Sequence, residues 1–205
     1  TKYTQGEFEE ALIKCEDALA QSTDIEVSSL ICVLESEIYT EQEEYTKAAD
    51  SAIRVTKFDS SKDARRRAGS LAFEAGNHLE DTKEKNGWYE KARKYYETLC
   101  QDETCSYEDE MNYALVLQAL EQYSDSNVCL RKMREEYPDD YKVLMWMCYN
   151  YLGIGNQKGS MAEVESDLNF AYSFCKYLYS QDESMTGGSD EDMEKLNELM
   201  KQLEE

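Results

Sequence analysis

The sequence predicts an all-α chain, in which antiparallel helix pairs repeat along a solenoid and a C-terminal helix caps the end. Three observations carry this. Apolar and small residues recur at steps of three and four along most of the 205 residues, which places them on one helical face. One Pro and 9 Gly are too few turn formers for a loop-rich β protein. The same signature returns about every 34 residues once two longer intervals are set aside, which is the length of a helix–turn–helix unit.

The first copy is Phe8, Ala11, Cys15 and Ala18. The second is Tyr45, Ala48, Ala52 and Val55, and the third is Tyr89, Ala92, Tyr96 and Leu99. Tyr123, Ser126, Leu130 and Met133 form the fourth, and Leu168, Ala171, Cys175 and Leu178 the fifth. The small residues stand 37, 44, 34 and 45 residues apart. The two long intervals contain polar stretches at 77–87 and 156–166, which read as inserts.

From the second copy on, another helix precedes each. Its apolar face is Leu30, Val33, Leu34 and Ile38, then Ala68, Leu71 and Ala72. Next come Tyr113, Ala114 and Leu117, and last Leu144, Met147, Cys148 and Tyr151. The turns carry Gly6, Gly76 or Gly155 in three copies, as a left-handed helix stop would want. Glu43 and Glu121 stand there in the other two. Pro138 follows the fourth copy where a helix should end.

These residues resemble the tetratricopeptide repeat (TPR) family. The matches are Ala-x3-Cys-x2-Ala at 11–18, Ala-x3-Tyr-x2-Leu at 92–99, Ala68-Gly69, Tyr39, Tyr151 and the closing Pro138. No Trp opens a unit, Ser126 replaces the small Ala, and two units carry inserts. The resemblance implies a right-handed TPR-like helix–turn–helix solenoid over residues 1–182, with about five helix pairs. Only Lys2 and Tyr3 remain of the first leading helix, so the first pair is truncated and natural sequence is expected upstream of Thr1.

The tail is different. Residues 183–188, with Thr186-Gly187-Gly188, read as a linker. Residues 189–205 read as an amphipathic helix, with Ser189 as N-cap before Asp190, Glu191 and Asp192. Met193, Leu196, Leu199, Met200 and Leu203 follow at helical spacing. This helix either caps the last repeat or binds a partner.

Composition narrows the function. Lys plus Arg is 22 against 44 Asp plus Glu, so the net charge is −22. Such a chain is repelled by nucleic acid and by anionic membrane surfaces. The longest apolar stretch, Val143 to Ile154, is too short to span a bilayer, so no direct membrane insertion is expected. No signal peptide is visible. The single histidine, His78, is a poor basis for His catalysis or a zinc site. Seven cysteines without a Cys-x-x-Cys read mostly as buried small hydrophobes, which slightly favours a reducing, cytoplasmic setting. An extracytoplasmic setting follows if the segment succeeds a membrane helix.

Several motifs invite chemistry and fail on spacing. Gly153-Ile-Gly155-Asn-Gln-Lys158-Gly159 lacks the Gly-Lys-Ser/Thr ending of a phosphate loop and reads as a turn plus insert. Asp182 to Asp190 imitates a calcium loop, but Met193 occupies the place of the closing Glu. Cys100 and Cys105 have no third thiol or imidazole at metal-ligand spacing, although a disulfide across the turn remains open to them. Glu41, Glu43 and Glu44 read as a solvated helix junction. No nucleophile, base and orienting group come together, so no enzyme, cofactor or metal is implied.

The densest positive cluster is Lys62, Arg65, Arg66 and Arg67. It reads either as local neutralisation, for instance with Asp63, or as a grip on a carboxylate, phosphate or acidic peptide. In TPR proteins the leading helices line a groove that often binds extended peptides. The resemblance then places Leu30, Val33 and Glu37 in that groove, followed by Arg66, Ser70 and Phe73. Met111, Leu115 and Gln118 come next, and Lys142, Met145 and Tyr149 last. The asparagine-and-lysine clamp of chaperone-binding TPRs is not evident.

The expected function is a non-enzymatic scaffold that binds a peptide or protein. The tail at 192–199 and the Tyr-rich units look like TPR segments attached to bacterial serine/threonine kinases, which would make this one domain of a signalling protein. The alternative is a structural module that mediates homo-oligomerisation, with a homodimer as its simplest form.

Overall fold

The computed structural model describes residues 5–101, 105–182 and 190–204. The expected linker at 183–188, the proposed N-cap Ser189, most of the calcium-like segment, and Lys2 and Tyr3 lie outside these. Ten helices are found among the described residues: α1 (Gln5–Gln21), α2 (Ile25–Glu41), α3 (Tyr45–Val55), α4 (Lys62–Asn77), α5 (Thr82–Cys100), α6 (Tyr107–Ala119), α7 (Tyr123–Glu136), α8 (Tyr141–Lys158), α9 (Glu165–Gln181) and α10 (Glu191–Glu204). The all-α expectation holds, and the ten helices fit a TPR-like series of pairs. The chain divides into two compact units, Thr1–Asp109 and Glu110–Glu205.

In the first unit each helix packs on the next, from α1 to α5. Short connections make these neighbours antiparallel. Carboxylate and hydroxyl caps start three of the helices. Asp24 accepts from the backbone N–H groups of Glu26 and Val27 at 2.8 and 3.2 Å, Ser61 from Ala64 at 3.2 Å and Asp81 from Glu84 at 2.9 Å. Each satisfies helix-end donors that have no partner within the helix.

The helix stops are not where the glycines suggested. Positive φ occurs at Glu43 (60°), Glu121 (59°) and Gly159 (65°). After α2, Glu44 N–H donates to the Tyr39 carbonyl at 2.9 Å and Glu43 N–H to Thr40 at 3.0 Å. Glu121–Gln122 and Gly159–Ser160 repeat this double bond pattern, the Schellman motif. Gly6, Gly76 and Gly155 lie inside helices instead. One of them is glycine because of packing: a Cβ on Gly76 would fall 2.4 Å from Tyr89 Cε1, whereas one on Gly155 would meet the movable Met161 Sδ at 2.1 Å. Gly69 faces Tyr96 in the same way, at 3.2 Å from Cε2. Gly69 with Tyr96 and Gly76 with Tyr89 therefore set the antiparallel register of α4 on α5.

The buried faces follow the repeat closely from α3 onward. Ala48, Ala52 and Val55, then Tyr89, Ala92, Tyr96 and Leu99, are all buried. Two departures concern the start of the chain. In α1 only Cys15 of the four signature residues is buried, and Ala18 is exposed. In α2 the core-facing residues are Ser28, Cys32, Glu35, Ser36 and Ile38, whereas Leu30 and Leu34 are 68% and 48% exposed. Polar pairing to α3 occupies that inward face, where Arg54 reaches Glu35 at 3.1 Å and Cys32 Sγ at 3.3 Å, and the two leucines lie outside it. Much of each polar stretch is helix. Residues 82–87 form the first turns of α5, and α8 runs on to Lys158 before the loop that leads to α9.

In the second unit α7 packs on α8 and α8 on α9. Ser126, Leu130 and Met133 of α7 are buried, as are Leu144, Met147, Cys148 and Tyr151 of α8. A buried polar chain ties three helices together. Ser126 Oγ donates to the Ala114 carbonyl at 2.8 Å, and Asn150 Nδ2 donates to Ser126 Oγ at 2.8 Å and to Asn127 Oδ1 at 3.0 Å. α10 lies against α8, with Met193, Leu196 and Met200 buried. Asp190 caps it, accepting from Asp192 and Met193 N–H at 3.1 and 3.3 Å. Among the described residues, no helix is long and apolar enough to cross a membrane.

Candidate functional site

Three consecutive arginines on α4 leave the helix about 100° apart, since the helix turns once in 3.6 residues. They therefore reach three different neighbours. Arg67 Nη2 donates to Glu37 Oε1 on α2 at 2.8 Å. Arg66 donates through Nη1 to Asp63 Oδ1 at 2.7 Å, and through Nε and Nη2 to the two carboxylate oxygens of Asp109, each at 2.8 Å. Asp109 sits in the first turn of α6, is 2% exposed, and also accepts from Ser106 Oγ at 2.8 Å. The hydrogen bonds from Arg66 hold the Asp109 carboxyl below the usual carboxylate range, and the same bonds raise the Arg66 guanidinium. Arg65 turns to the other side of α4, towards α3 and α5. Lys62 opens the helix and is half-buried.

Between α2 and α4 lies an open cleft of about 540 Å³. Glu37, Thr40 and Glu41 form one wall, and Arg66, Arg67 and Ser70 are on the other. The family resemblance placed Glu37, Arg66 and Ser70 on one surface, and here they share a cleft. Phe73 is half-buried and rests against Tyr89, with ring centroids 5.5 Å apart. Val33 is half-buried against the small core of Cys32, Val55 and Ala64. The cleft offers exposed donors and acceptors of both signs. Thr40 was not singled out from sequence, and Glu41 and Leu71 were read there only as a solvated helix junction and as part of an apolar helix face. Their α2–α4 apposition depends on helix rotation.

In the second unit Gln118 and Tyr149 share an open cleft of about 460 Å³ with Trp146, Leu199 and Leu203. Trp146 and Tyr149 stack obliquely, with centroids 5.3 Å apart. Tyr149 Oη donates to the Asp192 carbonyl of α10 at 2.7 Å, and burial pushes its hydroxyl up to about 12. Met111 and Met145 are buried at 9% and 2% exposure, so they belong to the packing rather than to open surface. Leu115 is half-buried and Lys142 exposed. Trp146 escaped the sequence reading, and the two leucines were read there only as part of the apolar face of the tail helix. Trp146 stands three residues before Tyr149, a spacing that shows the shared face, but only the docking of α10 brings in Leu199 and Leu203.

The other candidates resolve simply. The glycine-rich run is helical as far as Lys158 and ends in the left-handed Gly159, so its backbone N–H groups are committed to helix bonding. His78 stacks on Tyr45 with centroids 4.0 Å apart and pairs with Glu74 at 3.2 Å. Among the described residues, no group of three or more His, Cys, Asp or Glu side chains is placed to hold a metal ion.

No family model and no curated protein matches the chain. Among solved structures, it is similar to a tetratricopeptide repeat protein from Parabacteroides merdae ATCC 43184, at 20% identity and a TM-score of 0.49, over 96% of this chain and 78% of that one.

Proposed function

We propose that this chain is a non-enzymatic protein-interaction module that receives a peptide or protein segment in the α2–α4 cleft. The carrying observation is the Arg67–Glu37 pair that bridges the two walls at 2.8 Å, with side chains 35% and 54% exposed. An exposed pair is worth at most about 1 kcal/mol, so a partner can displace it cheaply and use both groups. Arg66 is different: its two bonds to buried Asp109 assign it to holding α4 against the start of α6. The charged and hydroxyl groups on the cleft walls suit the main chain of an extended peptide, which presents donors and acceptors regardless of sequence. The likeness of the tail to kinase-attached TPR segments gains nothing from the comparisons, and the cleft reading does not use it.

Selection of a displayed random-peptide library on the purified protein tests this. A consensus should emerge whose binding falls about tenfold in Arg67→Ala and disappears in Ser70→Trp, with helicity unchanged. Failure to enrich any sequence, or binding indifferent to both substitutions, sinks the cleft assignment.

Self-association is a second reading, favoured by Val27, Leu30 and Leu34, which leave an apolar stripe on α2 at 45%, 68% and 48% exposure. Light scattering across a concentration series decides it. A mass that rises with concentration in the parent chain, and stays monomeric in Leu30→Lys/Leu34→Lys, supports it.

A further inference from the structure

The basic cluster divides in space, and its unsatisfied part is not in the α2–α4 cleft. Arg66 and Arg67 are spent on Asp63, Asp109 and Glu37. Arg65 points instead to the side of α4 where α3 and α5 meet it. There it lines an open pocket of about 430 Å³ with Lys91, Lys94, Tyr95, Ile53 and Asp50. Lys91 and Lys94 are three residues apart on α5 and so share a face.

The charge of this pocket is anomalous. It holds three cations and one carboxylate, in a chain whose acids outnumber its bases two to one. Asp50 stands 3.7 Å from Lys91 and answers one cation. Among the described residues, neither Arg65 nor Lys94 forms an ion pair. Lys91 lies over the Trp88 ring, 3.3 Å from its centroid, which fixes the ammonium at the pocket wall. The Tyr95 hydroxyl is 3.3 Å from Thr56 Oγ1, which orients that ring, and Ile53 supplies an apolar surface. A forked guanidinium beside two ammonium groups matches the three oxygens of a phosphoryl group or the two of a carboxylate.

We propose that Arg65, Lys91 and Lys94 form an oxyanion-binding site for a phosphorylated or carboxylate side chain carried on a partner protein. The pocket is larger than a bare anion needs, and the side chain's stem would rest on Ile53 and Tyr95. The strongly acidic remainder of the chain disfavours a nucleic-acid source, because a polyanion would be repelled beyond the pocket. This site lies on the far side of α4 and stands independently of the cleft reading.

The test is an NMR titration of the full chain at constant ionic strength. The probes are a phosphoserine peptide, its glutamate counterpart, inorganic phosphate and a short single-stranded oligonucleotide. The indole N–H of Trp88 reports through Lys91, while that of Trp146, in the other unit, serves as an internal control. The expected result is a saturable shift at Trp88 alone with the phosphoserine peptide. Arg65→Gln and Lys94→Gln should each weaken it about tenfold, with helicity unchanged. A parallel response to the glutamate peptide extends the ligand to carboxylates. Saturation by inorganic phosphate as tight as by the peptide, or tighter binding of the oligonucleotide, overturns a protein-borne side chain as the ligand. A linear, unsaturated shift with every probe, or binding that survives in both variants, overturns the site.

Discussion

Arg66 grips Asp109 with two parallel hydrogen bonds of 2.8 Å across 43 positions of sequence. It does so from a helix whose neighbouring arginines point elsewhere. The pair joins the middle of α4 to the first turn of α6, and Ser106 completes the carboxylate's coordination. Removing the charge should be costly, because the guanidinium would then face a neutral amide. Arg66 is 37% exposed, so water recovers part of the loss. Asp109→Asn is expected to destabilise by about 1–3 kcal/mol, below the range for a fully buried pair. Urea unfolding by circular dichroism measures it.

The same pair sets a pH dependence. The folded-state pKa of Asp109 is depressed, so its stabilisation is complete above the ordinary carboxylate value of about 4 and is lost as pH falls through the folded value. The stability gap between the parent chain and Asp109→Asn should therefore be constant near neutrality and close in acid. A gap that persists at the acid limit would point to packing rather than charge.

Two glycines on adjoining helices make a matched test. Gly76→Ala drives a Cβ to 2.4 Å from the Tyr89 ring and should cost about 1–3 kcal/mol by overpacking. Gly87 is inside α5 with nothing within 4 Å of an added Cβ. Gly87→Ala should stabilise by about 0.5–1 kcal/mol through helix propensity. Opposite shifts in the thermal midpoint are the expected outcome.

Glu43 and Glu121 hold φ of 60° and 59°, a conformation that costs an L-residue about 1–2 kcal/mol. Glu43→Gly and Glu121→Gly should each recover part of this, about 0.5–1 kcal/mol, offset by the freer unfolded chain. Alanine at either position should give no gain. Denaturation midpoints separate the two substitutions.

The cysteines fall into two classes. Burial raises the thiols of Cys15, Cys32, Cys129, Cys148 and Cys175, with Cys129 pushed up to about 11 and Cys175 to about 12. Cys100 and Cys105 are half-buried, and their sulfurs lie 2.8 Å apart. Because these two sulfurs already lie side by side and are partly accessible, mild oxidation by a small-molecule disulfide should join Cys100 to Cys105 first. Peptide mapping under non-reducing conditions should show one cross-linked product, absent in Cys100→Ser, while the buried Cys15, Cys32, Cys148 and Cys175 resist alkylation until the chain unfolds.

The sequence by itself determined the helices and most of their buried faces. Apolar spacing of three and four names the same side chains whether or not a partner helix is present, as the burial of Tyr89, Ala92, Tyr96 and Leu99 shows. The grouping of Glu37, Arg66 and Ser70 came only from the family resemblance, and the three line one cleft in the structure. Only the tertiary structure decided what each charge does. Residues 65 to 67 are three adjacent cations in the chain, and their partners Asp109 and Glu37 are 43 and 30 positions away. Helix rotation and the approach of α2 and of the first turn of α6 select those partners, and no local pattern encodes either. The glycines make the same point: a turn and a close approach both demand the absence of a Cβ, and only the neighbouring Tyr89 ring shows which demand Gly76 answers.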